Sequence, residues 1–80
     1  MSTPIPVLEI DCRGQICPMP VIELGRRIAE VEVGDVVALV ADDAAARHDV
    51  PAWCRMREQE YVGADTADDG TARYLVRRLS

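Results

Sequence analysis

The sequence predicts an α/β (α+β) two-layer sandwich of order βαβαββ, a four-stranded mixed sheet with two helices on one face. Three observations carry that prediction. Residues 7–12 alternate in polarity and residues 36–41 form a continuous apolar run, two patterns that strands show. Residues 18–31 and 44–58 repeat instead at helical spacing. Asp68-Asp69-Gly70 places turn chemistry between two further strand-like runs. Strands that alternate with helices pair in parallel through right-handed crossovers, which sets both helices on the same side of the sheet. Eighty residues supply one hydrophobic core, so residues 1–80 read as a single domain.

Each element has its own local grounds. In residues 7–12, Leu8, Ile10 and Cys12 share one face while Glu9 and Asp11 share the other, as in a half-buried strand. Arg13-Gly14-Gln15 is a turn, with Gly14 free to take a positive φ. The first helix runs from Pro18 and turns Val21, Leu24, Gly25, Ile28 and Val31 inward. Cys17 is its expected N-cap and Pro18 its first residue, where a missing N–H costs nothing. Ile16 and Val21 then stand at the positions of a hydrophobic staple. The β-branched run 36–41 reads as an interior strand. Asp42 and Asp43 offer N-cap oxygens to the second helical stretch. Pro51 interrupts that stretch, so either one helix kinks there or a second begins at Asp49. Val50, Trp53 and Cys54 share a face in both cases. Residues 61–66 and 71–79 are the closing strands.

Composition narrows the function. A net charge of −5 lacks the basic stripe that displaces counterions from nucleic acid, so direct nucleic-acid binding is not expected. Arg73, Arg77 and Arg78 cluster near the C-terminal end, and read as the charged blunting of a strand edge or as a contact for an acidic partner or a phosphate. No segment has the length and apolarity of a membrane span, and residues 1–6 lack the features of a secretory signal. A cytoplasmic, reducing setting with free thiols is expected, since three cysteines leave at least one unpaired. Four residues separate Cys12 from Cys17 and a long gap follows, which is not a metal-ligand spacing, so no metal is expected. There is no Cys-x-x-Cys pair, and His48 reads as a helix-surface histidine.

Cys17-Pro18-Met19-Pro20 sets a sulfur at the start of a helix. The positive end of the helix favours thiolate over thiol, and a free amide such as that of Met19 would add to the effect. An ordinary cysteine titrates near about 8.5, and moderate activation below that is expected because the two prolines delete amides a thiolate would use. Arg13 is a possible electrostatic helper. Cysteine is a poor N-cap beside serine, threonine or aspartate, which favours a functional Cys17, while a small apolar N-cap without chemistry stays open on the residues alone. Cys12 and Cys54, on the buried sides of their elements, read as core packing.

Those residues resemble the TusA family of small sulfur carriers, also called SirA-like, over nearly the whole chain. The resemblance rests on Asp11-Cys12-Arg13-Gly14-Gln15-Ile16-Cys17-Pro18-Met19-Pro20, on Ala41-Asp42-Asp43 followed by Asp49-Val50-Pro51-Ala52-Trp53-Cys54, and on Arg73-Tyr74-Leu75-Val76-Arg77. It implies a βαβαββ sandwich and a persulfide relay. A cysteine desulfurase or other donor would load Cys17, which would pass the sulfur to an acceptor protein in tRNA thiolation, molybdenum-cofactor synthesis or sulfur metabolism. Pro18, Pro20, Gly14 and Arg13 would be positioning residues. No cofactor is implied; oligomeric state is open between a monomer and a weak dimer formed through the uncovered sheet face. Gln15 stands where the family more often has an apolar residue. Two other readings differ in kind: a thiol redox sensor in which Cys12 resolves an oxidised Cys17, and a non-enzymatic interaction module indifferent to Cys17→Ser.

Overall fold

A computed structural model describes residues 5–80; residues 1–4, part of the segment read above for a secretory signal, lie outside the described residues. The elements follow in the order β1 (Leu8–Asp11), α1 (Met19–Arg27), β2 (Val36–Val40), α2 (Ala46–Arg57), β3 (Glu60–Thr66) and β4 (Ala72–Arg77), with one 3-10 turn (Ile28–Glu30) prolonging α1. The sheet order is β1-β2-β4-β3. β1 and β2 pair in parallel, while β4 runs antiparallel to both β2 and β3. The mixed four-stranded sheet and two helices are those expected from the sequence.

Strand alternation sends Ile10, Val37, Leu39, Tyr74 and Val76 toward the helices. There they pack with Leu24 and Ile28 of the first helical unit and Val50, Trp53 and Cys54 of α2. β2 is buried on both faces, hence its unbroken apolar run. On the open face Val36, Ala38 and Leu75 form a smaller cluster with Val62. Arg73 crosses this face. From β4 its guanidinium reaches over β2 to Glu9 of β1 at 3.3 Å and sideways to Asp65 of β3 at 2.7 Å. The arginine stem thereby spans apolar surface that would otherwise meet water.

This geometry corrects the reading of the arginine cluster. β4 lies inside the sheet and is not an edge. Arg77 pairs with Glu60 at 2.9 Å, and Arg78 donates to the Val31 carbonyl, so the three arginines are spent on the fold.

Four local expectations also change. Helix α1 begins at Met19 with Pro18 as its N-cap, one residue later than expected, because the Pro18 carbonyl accepts the Ile22 amide at 3.1 Å. Cys17 therefore precedes the helix and does not cap it. The staple is not made: Ile16 is 73% exposed. The two options left open for α2 resolve to one helix containing Pro51. Pro51 forgoes a bond to the Arg47 carbonyl, and the buried Val50, Trp53 and Cys54 around it hold the helix in place. Neither Asp42 nor Asp43 caps α2 as expected: the N-cap is Ala45, with no side-chain cap bond, and Asp43 accepts the Ala45 amide at 3.0 Å in the turn ahead of the helix.

Candidate functional site

Cys17 lies on the connection from β1 to α1, at the end of the sheet where the parallel strands β1 and β2 finish. The route to it begins with a turn. Gln15 donates to the Cys12 carbonyl at 3.1 Å, and Gly14 takes φ +78°, the positive value expected of it. Beyond the turn, this connection is fastened to the one that follows β2. The Gly14 amide donates to the Asp42 carboxylate at 3.1 Å, and the Cys17 amide donates to Asp43. Asp43 thus serves two backbones at once, Cys17 through one oxygen and Ala45 through the other. Those two amides, Ala45 first, hold its carboxyl below the ordinary aspartate range.

A third carboxylate meets the sulfur itself. The Cys17 thiol donates to Asp49 Oδ2 across 2.8 Å, from the β1–α1 loop to the first turn of α2. A carboxylate that accepts from a thiol stabilises the protonated form. The Asp49 hydrogen bond, partial desolvation and the charges of Asp49 and Asp43 together push the Cys17 thiol up from its ordinary value. This overturns the expected activation, for identifiable reasons. The sulfur lies ahead of the helix and not on its first turn. The Met19 amide, a candidate partner for a thiolate, is already given to the Ile16 carbonyl at 2.9 Å. Arg13 does not serve the sulfur either. Its guanidinium pairs with Asp11 at 3.1 Å and with Asp69 of the β3–β4 turn at 3.0 Å. Arg13 is a brace between two loops.

The remaining sequence candidates divide clearly. Pro20 is buried while Pro18 is exposed, so only Pro20 anchors the helix start into the core. Of the three free cysteines, Cys17 is exposed and Cys12 and Cys54 are buried. Burial pushes the Cys12 thiol up, and pushes that of Cys54 to about 11. Cys12 sits in the main core at 0% exposure, so a Cys12–Cys17 disulfide would require opening that core. His48 is exposed on α2, as read from the sequence. Among the described residues no cluster of histidine, cysteine, aspartate and glutamate could hold a metal ion, and no helix is long and apolar enough to cross a membrane.

Sequence reasoning gives Asp42, Asp43 and Asp49 no part at the sulfur: all three fall within the resemblance, the first two reading as helix caps and Asp49 as a possible helix start. The acidic run 42–43 and the acid one turn into α2 were visible as charges. Their convergence on residues 14–17 depends on β1 and β2 being neighbours in the sheet, which no local pattern records.

The site and its frame define a small protein that presents one accessible thiol on a two-layer α/β scaffold. The chain belongs to the family described as Sulfurtransferase TusA, whose model matches residues 8–78. It is 36% identical over 69 residues to a "Putative sulfur carrier protein" of Archaeoglobus fulgidus, an alignment covering 86% of this chain and 90% of that one. It is 34% identical to the "Sulfur carrier protein TusA" of Pseudomonas syringae pv. syringae, covering 100% of this chain and 99% of the relative. Among solved structures, a SirA-like protein from Desulfitobacterium hafniense superposes with a TM-score of 0.76 at 25% identity, over 92% of this chain and 100% of that one. The family supports a role in sulfur transfer as a carrier, working between sulfur donors and sulfur acceptors.

Proposed function

We propose that Cys17 is the atom that carries the sulfur, as a persulfide accepted from a cysteine desulfurase or another donor and passed to an acceptor protein. The observation that supports this most is accessibility: a carrier's sulfur must enter a partner's active site, and Cys17 is the exposed cysteine of the three. In the loading step the Cys17 sulfur attacks the outer sulfur of a donor persulfide. A new S–S bond forms at Cys17, the donor's S–S bond breaks, and the donor leaves as a thiol. Cys17–SH and R–S–SH become Cys17–S–SH and R–SH. Unloading repeats the exchange, with an acceptor thiolate attacking the outer sulfur and Cys17 as the leaving group.

Gly14 and Pro20 are positioning residues in this reading. Gly14 supplies the turn and the amide that Asp42 holds, and Pro20 seats the start of α1. Asp42 and Asp43 join them, fixing the backbone on which the sulfur rides. Pro18 presents its exposed ring beside the thiol, while Arg13 stays a loop brace. The donors and acceptors would be cytoplasmic proteins, in tRNA thiolation, molybdenum-cofactor synthesis or sulfur metabolism.

Intact-protein mass spectrometry after incubation with a cysteine desulfurase and cysteine tests the proposal. The wild type should gain about 32 Da per sulfur, reversibly with reductant, and Cys17→Ser should gain nothing. An equal adduct on both proteins would move the role to another cysteine.

A further inference from the structure

A sulfur and a carboxylate oxygen 2.8 Å apart, as Cys17 Sγ and Asp49 Oδ2 are, share a proton. Without that proton the pair would be two acceptors pressed together. A thiolate there would also face the charge of Asp43, the other carboxylate that acts on the sulfur. On its own loop the nearest cation, Arg13, is held away by Asp11 and Asp69. The contact is thus specific to the protonated thiol. We infer that Asp49 is a latch on Cys17, holding the empty carrier's sulfur as a thiol and letting go of it when the sulfur is loaded.

The inference rests on Cys17 being the sulfur-bearing atom, and follows from counting hydrogens in the loading step. Before loading, Cys17 Sγ bears one hydrogen, the one given to Asp49. The proton leaves with the donor's departing sulfur. Afterwards Sγ is bonded to its own Cβ and to the outer sulfur and bears none. The Asp49 bond to Sγ therefore cannot survive loading. Asp49 must swing away or accept from the outer sulfur, one bond further out. The Gly14–Asp42 and Cys17–Asp43 bonds use backbone amides and are untouched by the chemistry. The change is confined to the sulfur and the first turn of α2. Empty and loaded carriers consequently present different surfaces at the same spot, a difference that a donor and an acceptor can each read.

The latch also slows unproductive chemistry. A thiol held protonated is a weak nucleophile toward oxidants and stray electrophiles, so the empty carrier is guarded until a partner displaces the carboxylate.

The test measures alkylation of Cys17 by iodoacetamide from about pH 6 to pH 10, followed by mass spectrometry, in wild type, Asp49→Asn and Asp49→Ala. In parallel, each protein is loaded with glutathione persulfide, and backbone amide NMR shifts are compared between empty and loaded forms. At neutral pH both variants should alkylate faster than wild type by about threefold or more, because each removes the carboxylate charge that disfavours the thiolate. On loading, the wild type should shift amides in residues 48–50 as well as 16–18, whereas Asp49→Ala should shift only the latter group. Unchanged alkylation in both variants, with normal sulfur loading, would overturn the latch. A wild-type profile with its midpoint below that of an ordinary cysteine would overturn it without reference to any variant. Failure of Cys17 to load in all three proteins would instead overturn the sulfur-carrier reading, so the two failures are distinct.

Discussion

Two glycines in this chain should respond in opposite directions to the same change, glycine to alanine. Gly14 occupies φ +78°, and a Cβ built on it would meet nothing within 4 Å. The cost of Gly14→Ala is therefore wholly conformational. An L-residue in the left-handed region loses about 1–2 kcal/mol, offset in part by the smaller entropy of the unfolded alanine chain, for a net destabilisation of about 1 kcal/mol. The amide that Asp42 accepts is present in either residue, so no hydrogen bond is lost. Gly25 sits inside α1 with ordinary helical geometry, and its Cβ would lie 3.7 Å from Trp53 Nε1 and 3.8 Å from Cζ2, at van der Waals contact. Gly25→Ala should therefore stabilise the protein by about 0.5–1 kcal/mol through helix propensity alone. Urea unfolding followed by far-UV circular dichroism gives both values, with unchanged m as the sign that the states compared are the same. In a domain of this size the two melting temperatures should separate by roughly 5–15 °C. A neutral or stabilising Gly14→Ala would refute the argument, because it would mean the turn before Cys17 is not held at positive φ. A destabilising Gly25→Ala would show that α1 and α2 approach more closely than contact allows.

Other expectations concern charge and pH. Cys54 stays protonated in the folded core to about pH 11, whereas the unfolded chain releases that proton near the ordinary cysteine value of about 8.5. The unfolded state then binds fewer protons, so stability falls as pH rises from about 8.5 to about 11, by up to about 3 kcal/mol. Cys54→Ala should lose that part of the alkaline slope, as read by urea unfolding across the window, while costing some packing at every pH. On the open face, Arg73→Ala should destabilise measurably, since it removes the stem over β2 together with the links to Glu9 and Asp65. Arg26→Ala, which breaks only an exposed i,i+3 pair with Glu23, should fall within experimental error in the same assay.

The fold was largely legible because its signals are local and agree with one another. Alternation in residues 7–12, the apolar run of β2 and the Asp68-Asp69-Gly70 turn each specify an element without reference to the rest of the chain. Errors arose where a residue's state depends on a distant partner. Nothing near Arg73 in sequence shows that Glu9 waits across β2, so its charge read as an edge feature. Cys17 shows the same effect more sharply. From local geometry alone a sulfur before Pro18 reads as activated, and the carboxylate that reverses the sign stands thirty-two positions later on another helix. Gly14, by contrast, was readable from sequence because positive φ is its own local demand.

Helix α2 turns two unrelated faces to the molecule. Val50, Trp53 and Cys54 are sealed in the core, while Asp49 sits at the rim, and the hydrogen bond its side chain makes is to the Cys17 thiol. The temper of the sulfur and the firmness of the scaffold are therefore separate variables, though adjacent residues set them. Substitution at position 49 can make the thiol quicker or slower without disturbing a packed side chain, and substitution at position 50 does the reverse. A lineage built on this frame can suit its carrier to a more reactive donor or a more demanding acceptor by altering one rim residue, leaving the architecture that presents the sulfur as it was.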